Sequence, residues 1–333
     1  MEEKIKVYVS EEVSHILLKD MELFEFYKKD RQLNKNDFIN TLILHYHESY
    51  QQSNSELFEY IRRILEREFV CSEQKIGDIA YEILQYTENK AFRSEKGKLD
   101  SSFSIKPTKK SKAVIQYIQE CMLSRTTMSN YFRNMLSSYC LLPQDKREEV
   151  IFRDKFEEIR SAIDNDRKIY FKHKHKDSKY VVSPYAISGS KEELFNYLIA
   201  EYNGRPYSFR ISRLDKVIAL NEVRSFKEGM EGIFDKMIAY GPQFAFEKER
   251  EVCVRLEPYG RLMFEKVYLH RPKPIRVEED RYYFDCSDNQ IIQYFFRFGK
   301  FAYIETPVQL REEMLKRYRV AVRAYAGKSR SLE

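Results

Sequence analysis

The sequence predicts a multidomain α+β chain with a helical N-terminal part, a small β-rich middle and an α+β C-terminal module. Three observations predict it. Residues 4–9 alternate strictly between polar and apolar, then give way to amphipathic helical spacing that persists to about residue 146. Residues 184–217 alternate again, as short strands do, and spend outward positions on arginine and tyrosine. From residue 249 onward, strand-like and helix-like segments take turns to about residue 328. The expected division is a helical domain over 1–146, a connecting helix over 147–166, a β-rich domain over 167–228 and a final module over 249–328. At 333 residues the length fits two or three domains with real hydrophobic cores.

In the first strand Ile5, Val7 and Val9 share one face, and Lys4, Lys6 and Tyr8 share the other. Ser10 before Glu11 and Glu12 reads as a helix N-cap with acidic first-turn residues, opening a helix to about Lys29. Asn36 can cap a second helix through Tyr50. Residues 55–92 read as two amphipathic helices, and 93–102, charged and carrying Gly97, as a loop. Phe103 and Ile105 begin another alternating segment, which Pro107 weakens. A helix follows over 109–123, and Ser129 can cap one reaching Tyr139. Residues 36–46 lie over 129–139 without a gap, with apolar or aromatic matches at 38/131, 39/132, 42/135, 43/136 and 46/139. Two readings stay open: a duplicated strand–helix–helix unit, or two unrelated amphipathic helix pairs that share a common spacing.

The connecting helix delivers the chain into a strand at 168–172. Farther on, Phe209, Ile211 and Leu214 can face a core while Arg205, Arg210 and Arg213 converge beside Tyr197 and Ser208. Clustered guanidinium groups repel, so gathering them makes sense where an anion binds. Tyr180, Tyr185, Tyr197, Tyr202 and Tyr207 interleave with these arginines, and Lys172, His173 and Lys174 add a basic strand. Aromatic faces stack on unpaired bases while cations hold phosphate, a combination suited to single strands. Any one ring is more often core packing; only the combination points to nucleic acid. The C-terminal order is strand 252–256, helix 260–269, strands 275–277 and 282–285, helix 290–298, strand 301–305 and helix 308–325. Apolar groups surround the 290–298 helix, so faces turned from its own sheet need cover, which predicts a homodimer joint.

Net charge is +6, unevenly spread. Residues 1–100 carry 15 basic against 20 acidic side chains, whereas 101–142 and 160–218 are each basic by 5. Such blocks suit a polyanion on part of the surface and protein contacts elsewhere, though charge also serves solubility alone. The five cysteines include no C-x-x-C pair and, with no signal peptide, fit the reduced thiols of a cytoplasm. No apolar run is long enough for a membrane span. With 10 glycines there is no G-x-x-x-x-G-K or G-x-G-x-x-G turn, and neither G-x-S-x-G nor H-E-x-x-H occurs. His173 and His175 could share a strand face, but Lys172, Lys174 and Lys176 surround them and no further ligands complete a metal site. A non-enzymatic binding protein without metal or cofactor is expected.

The Pro184-Tyr185 strand, the Asn196-Tyr197-Leu198 triplet and the run from Arg205 through Phe209, Arg210, Ile211 to Arg213 resemble the WYL domain of bacterial regulators. The usual Trp is absent here, as it is from the whole chain. That resemblance implies a small Sm-like β-barrel that binds nucleic acid or a nucleotide-like ligand, and Tyr185, Tyr197, Arg205, Ser208, Arg210 and Arg213, with Lys172, His173 and Lys174, are the candidate binding residues. Residues 298–311 resemble the C-terminal extension behind many WYL domains, implying a ferredoxin-like dimerisation module. The N-terminal order resembles a ribbon-helix-helix unit, with Lys4, Lys6 and Tyr8 on its ribbon. Together these resemble the WYL accessory proteins of type VI-D, RNA-targeting CRISPR systems. The resemblance implies single-stranded RNA as ligand, DNA remaining open, and stimulation of an RNA-guided effector nuclease. The alternative is a transcription regulator whose ribbon reads the major groove while its WYL pocket senses a nucleotide or oligonucleotide. Residues 1–50, with seven basic against ten acidic side chains, disfavour tight duplex binding.

Overall fold

A computed structural model describes residues 4–90, 99–123, 126–174, 176–190, 194–242, 251–267 and 271–328. His175, like the Gly97 loop, lies outside the described residues. The chain divides into two compact units, Met1–Arg153 and Asp154–Glu333. Among the described residues the architecture is mixed α and β, with eleven α-helices and three antiparallel sheets. No helix among them is long and apolar enough to cross a membrane.

The first unit opens with β1 (Ile5–Val9), whose Val7 and Val9 are fully buried while Lys6 and Tyr8 are exposed. It pairs antiparallel with β2 (Ser101–Ile105), setting Ile5 opposite Ile105 and Val7 opposite Phe103. Ser10 caps α1 (Glu11–Leu23) by accepting from the Val13 N–H. That helix stops well before Lys29. Glu25 takes a positive φ of 63°, and turning the chain there sets Phe24 edge-on to Phe152 and Phe26 edge-on to Phe38. Helix α2 (Lys35–Glu68) is capped by Asn34 rather than Asn36 and runs on past Tyr50. Nothing between 35 and 68 is Gly or Pro, so the polar stretch at 51–55 is no stop, and pairs such as Gln52–Glu56 support it. Asn36 instead accepts from the Lys106 N–H and donates to the Lys106 carbonyl, holding the exit of β2.

Helix α3 (Glu73–Lys90) follows, then after β2 come α4 (Lys112–Cys121), α5 (Met128–Leu141) and α6 (Gln144–Ile151). Thr127, not Ser129, caps α5; the Ser129 hydroxyl and the Arg133 guanidinium instead donate to the Lys6 and Tyr8 carbonyls on the outer edge of β1. The core gathers Leu17, Met21, Phe38, Leu42, Phe132 and Tyr139, all fully buried. Within it Asp20 accepts from Tyr139 Oη at 2.8 Å and takes a two-pronged ion pair from Arg147, at 2.7 and 3.1 Å. Burial, then the Asp20 charge, pushes the Tyr139 phenol well above its usual range.

The expected single connecting helix is two, α6 and α7 (Arg153–Asp164), broken at Phe152. Phe156, Ile159 and Ala162 give α7 one buried face. Strands β3 (Arg167–His173), β4 (Lys176–Gly189), β5 (Asn196–Tyr202), β6 (Arg205–Arg210) and β7 (Leu214–Val223) form one sheet in the order β6-β5-β4-β3-β7. Strand β4 changes partner midway: Val182 still pairs with β3, whereas Ser183 onward pairs with β5. The register shifts between Pro184 and Ala186, where proline has no N–H for a ladder. A 3-10 turn, Ile211–Arg213, carries the chain from one edge strand to the other, so the sheet curls strongly. The expected small barrel is not closed: among the described residues no ladder joins β6 to β7.

After α8 (Met230–Tyr240) come β8 (Val252–Leu256), α9 (Pro258–Lys266), β9 (Pro274–Glu278), β10 (Arg281–Phe284), α10 (Asp288–Phe295), a 3-10 segment (Phe296–Phe301), β11 (Ala302–Thr306) and α11 (Val308–Lys328). This β-α-β-β-α-β order builds an antiparallel sheet arranged β11-β8-β10-β9. Ile291, Ile292, Tyr294, Phe295 and Phe298 are all buried in its core, and Phe296 stacks on Tyr318 of α11 at 4.7 Å. Most of the apolar residues around 290–298 are therefore covered within the chain itself, while Phe296 stays 36% exposed. The cause is that α11 packs along α10, a contact invisible to the periodicity of either helix.

Candidate nucleic-acid interface

The β5–β6 hairpin turns on Asn203 and Gly204, both at positive φ (52° and 71°), as a two-residue hairpin with matched twist demands. That turn sets the register, pairing Tyr202 with Arg205, Leu198 with Phe209 and Tyr197 with Arg210. A residue added or lost at the turn would flip every side chain to the other face. Strand β5 is buried from Asn196 to Ala200, while β6 is an edge strand.

A cleft of about 660 Å³ wraps this edge and draws from both faces of β6. Tyr207 and Phe209, stacked at 5.8 Å, come from one face; Ser208 and Arg210 come from the other, beside Tyr197 and Phe195. Tyr180, His173 and Arg213 complete the aromatic and basic wall, and Asn289 of α10 reaches the same cleft. The rings continue inward, with Phe171 stacked on Tyr180 and Tyr180 edge-on to Tyr202. No carboxylate is among the described lining residues, which include two arginines and a histidine. The Arg210 guanidinium lies over the Phe195 ring and its Nε donates to Ser212 Oγ at 2.8 Å, so its planar fork is held in place. Such a site can receive phosphate on the arginines and a base or sugar on the rings.

The structure brings together Tyr197, Ser208, Arg210, Arg213 and His173. It does not bring in Arg205. Arg205 lies five positions before Arg210 along β6, about 17 Å at the usual rise, at the hairpin end of the strand and away from the cleft. Lys172 is half-buried, pairs across to Lys179 and Asp215, and is not among the described lining residues of the cleft. Lys174 is exposed, and its N–H donates to the Arg213 carbonyl, bracing the turn rather than lining the cleft. Tyr185 packs at 4.7 Å on Phe234 of α8, and its hydroxyl donates to Asp235 at 3.0 Å. Burial and then that bond raise the Tyr185 pKa, so it belongs to the α8 packing. Lys6 and Tyr8 stand together on the exposed side of β1, with the Lys6 ammonium 4.7 Å from the ring centroid, and Lys4 is exposed just before the strand.

Sequence reasoning missed Phe195 and Asn289. The Asn-Gly turn, once recognised, fixes Arg210 opposite Tyr197 and so points to the neighbourhood of Phe195. No sequence signal brings Asn289 from a distant helix. Among the described residues no three His, Cys, Asp or Glu side chains gather as metal ligands would.

No family model matches the sequence, and no curated protein matches it. Proteasome accessory factor B/C of Arthrobacter aurescens aligns over 65% of this chain and 36% of its own, at 14% identity and a TM-score of 0.28, too low to carry an argument. The crystal structure of a CRISPR Cas-related protein is similar over 98% of this chain and 95% of its own, with a TM-score of 0.71 and 20% identity. Over nearly its whole length, then, this chain has the fold of a CRISPR Cas-related protein.

Proposed function

We propose that this chain is a non-enzymatic accessory protein that binds single-stranded RNA in the β6 cleft and stimulates an RNA-targeting CRISPR effector nuclease. One observation carries the binding: Arg210 and Arg213 share a cleft with Tyr180, Tyr197 and Tyr207, with no carboxylate among its described lining. The likeness of the fold to a CRISPR Cas-related protein supports the association with CRISPR components. In this reading the curled five-stranded sheet is an open, Sm-like WYL domain. The β1–β2 ribbon with its helices is a duplicated ribbon-helix-helix unit, and the β8–β11 sheet is a ferredoxin-like extension that joins two copies in the cytoplasm.

Competition between a single-stranded RNA and duplex DNA of equal length tests the ligand. The single strand binds more tightly, and with two arginines on phosphate its affinity falls with salt at a log–log slope of about −1.4. Cleavage by the effector nuclease with and without the protein tests the stimulation. The second reading, a transcription regulator, draws on the exposed Lys6 and Tyr8, paired across the ribbon to Ser104 and Ser102. Tight, sequence-selective duplex binding that is lost in Lys6→Ala would establish it instead.

A further inference from the structure

Lysines gather at one end of the β1–β2 ribbon in the N-terminal unit. Ile5 stands opposite Ile105, so Lys4 and Lys106 are the next residues beyond that pair on their two strands, and Lys6 is the next exposed position of β1. Lys109 and Lys110 lie in the turn that leaves β2, and Lys35 opens α2 next to Asn36. All six are exposed. The turn is fastened from two sides. Asn36 accepts from the Lys106 N–H at 2.8 Å and donates to the Lys106 carbonyl at 3.2 Å. Asn40 donates to that carbonyl at 3.1 Å and accepts from the Thr108 N–H at 3.3 Å. Thr108 and Ser111 close the turn from within, each hydroxyl accepting from the other's N–H. These bonds use the backbone of Lys106 and no lysine side chain, so none of them requires lysine at 106, 109 or 110. Like charges set side by side repel, and a bound polyanion offsets that repulsion.

The charge along the ribbon is one-sided. Residues 1–6, 35–40 and 104–112 carry seven lysines against Glu2, Glu3 and Asp37. Around the other end, residues 7–12 and 93–103 carry three basic against four acidic side chains, and Glu11, Glu12 and Asp100 are exposed there. A ribbon seated in the major groove of a duplex has phosphate on both sides along its whole length, which sets phosphate against that acidic end. A single strand can cross the lysine end alone. We propose that Lys4, Lys6, Lys35, Lys106, Lys109 and Lys110 form a second site for single-stranded RNA, held through its phosphates. Ammonium groups act as point charges on phosphate and read no base, so the site takes any sequence. The proposal rests on the reading of the chain as an RNA-binding protein, but not on the cleft at β6.

Fluorescence anisotropy on the full chain tests it, with single-stranded RNA homopolymers and duplex DNA of equal length. In Arg210→Ala, where the β6 cleft is weakened, the remaining RNA binding falls with salt at a log–log slope of about −4, as six lysines on phosphate require. Homopolymers of uridine, adenosine and cytidine bind alike. Adding Lys106→Gln, Lys109→Gln and Lys110→Gln weakens that binding by about tenfold or more and halves the slope to about −2, with the fold intact by circular dichroism. Glu11→Gln with Glu12→Gln, about 17 Å or more along β1 from Lys4 and beyond the screening length of about 8 Å, changes it by less than about threefold. The two RNA sites fail separately. Binding abolished by Arg210→Ala but unchanged by the three lysine substitutions overturns this site and leaves the β6 cleft standing. Binding unmoved by Arg210→Ala but lost with the three lysines supports this site and removes the other. Absence of RNA binding by the wild type overturns both. A duplex held more tightly than the single strand, and lost with the same lysines, gives the ribbon to duplex DNA and overturns the proposal. So does an effect of the two glutamates as large as that of the three lysines.

Discussion

The guanidinium carbon of Arg210 lies 3.2 Å from the centroid of the Phe195 ring, a stack that fixes the arginine beside the cleft before any ligand arrives. Arg210→Ala is expected to weaken single-stranded RNA binding by about 1–3 kcal/mol, the scale of a charge-assisted contact. Phe195→Leu removes the stack but keeps the charge, and costs about 0.5–1 kcal/mol. Arg205→Ala, at the far end of the same strand, stays within about 0.5 kcal/mol. Fluorescence anisotropy on the three folded variants checks the order, and an Arg205 effect equal to that of Arg210 contradicts the geometry.

Asp20 is fully buried and satisfied by Arg147 and Tyr139 together. Removing one partner of a buried pair leaves the other charge stranded, so Asp20→Ala is expected to destabilise the N-terminal unit by about 3–5 kcal/mol. Tyr139→Phe deletes one hydrogen bond and costs about 1 kcal/mol. Urea unfolding followed by circular dichroism measures both; a smaller loss for Asp20→Ala than for Tyr139→Phe would falsify the account of the triad.

Asn40 ties α2 to the exit of β2. Its amide donates to the Lys106 carbonyl at 3.1 Å and to that of Asn36 at 2.7 Å, while its oxygen accepts from the Thr108 N–H at 3.3 Å and from Ser111 Oγ. Asn40→Leu leaves these buried groups unpaired and should cost about 1–3 kcal/mol. Hydrogen exchange provides the sharper readout: amides of the β1–β2 ribbon lose protection first. Uniform loss across the unit would mean that Asn40 holds no particular part of it.

Tyr294 donates to the Val267 carbonyl at 2.6 Å, and burial pushes its phenol up from 10.0 to about 12. A raised pKa means the folded state favours the protonated phenol. Its contribution is therefore complete below pH 10 and is lost as pH rises from 10 through about 12. The urea midpoint of the wild type should fall across that window, and Tyr294→Phe should flatten this part of the fall. Equal slopes in the two proteins would assign the alkaline loss to other groups.

The far half of α11 leaves Val320, Val322 and Tyr325 exposed, the last at 80%, beside a groove that also takes in Ile292 and Phe296. If two copies join through the C-terminal module, this face is the one that needs cover. Light scattering should give a dimer for the full chain and a monomer for Val320→Glu. A dimer unaffected by that substitution places the joint elsewhere.

Strand positions with strict alternation were legible from residue types alone. Val7 and Val9 against Lys6 and Tyr8 needed only the two-residue period of a half-buried strand. The arginine–tyrosine character of the β6 neighbourhood was likewise written in the chain. What alternation could not decide was which ends of which strands meet. Arg205 and Arg210 look equivalent in sequence, yet strand length separates them, and the Asn203-Gly204 turn decides which one faces Tyr197. Helix limits depended on distant partners as well: α1 stops where Phe24 and Phe26 find Phe152 and Phe38, and the apolar faces of α10 are covered by α11. Local periodicity determines which face of an element is apolar, because that depends only on neighbours along the chain. Only tertiary packing determines what covers that face, since the covering groups are brought in from tens or hundreds of residues away.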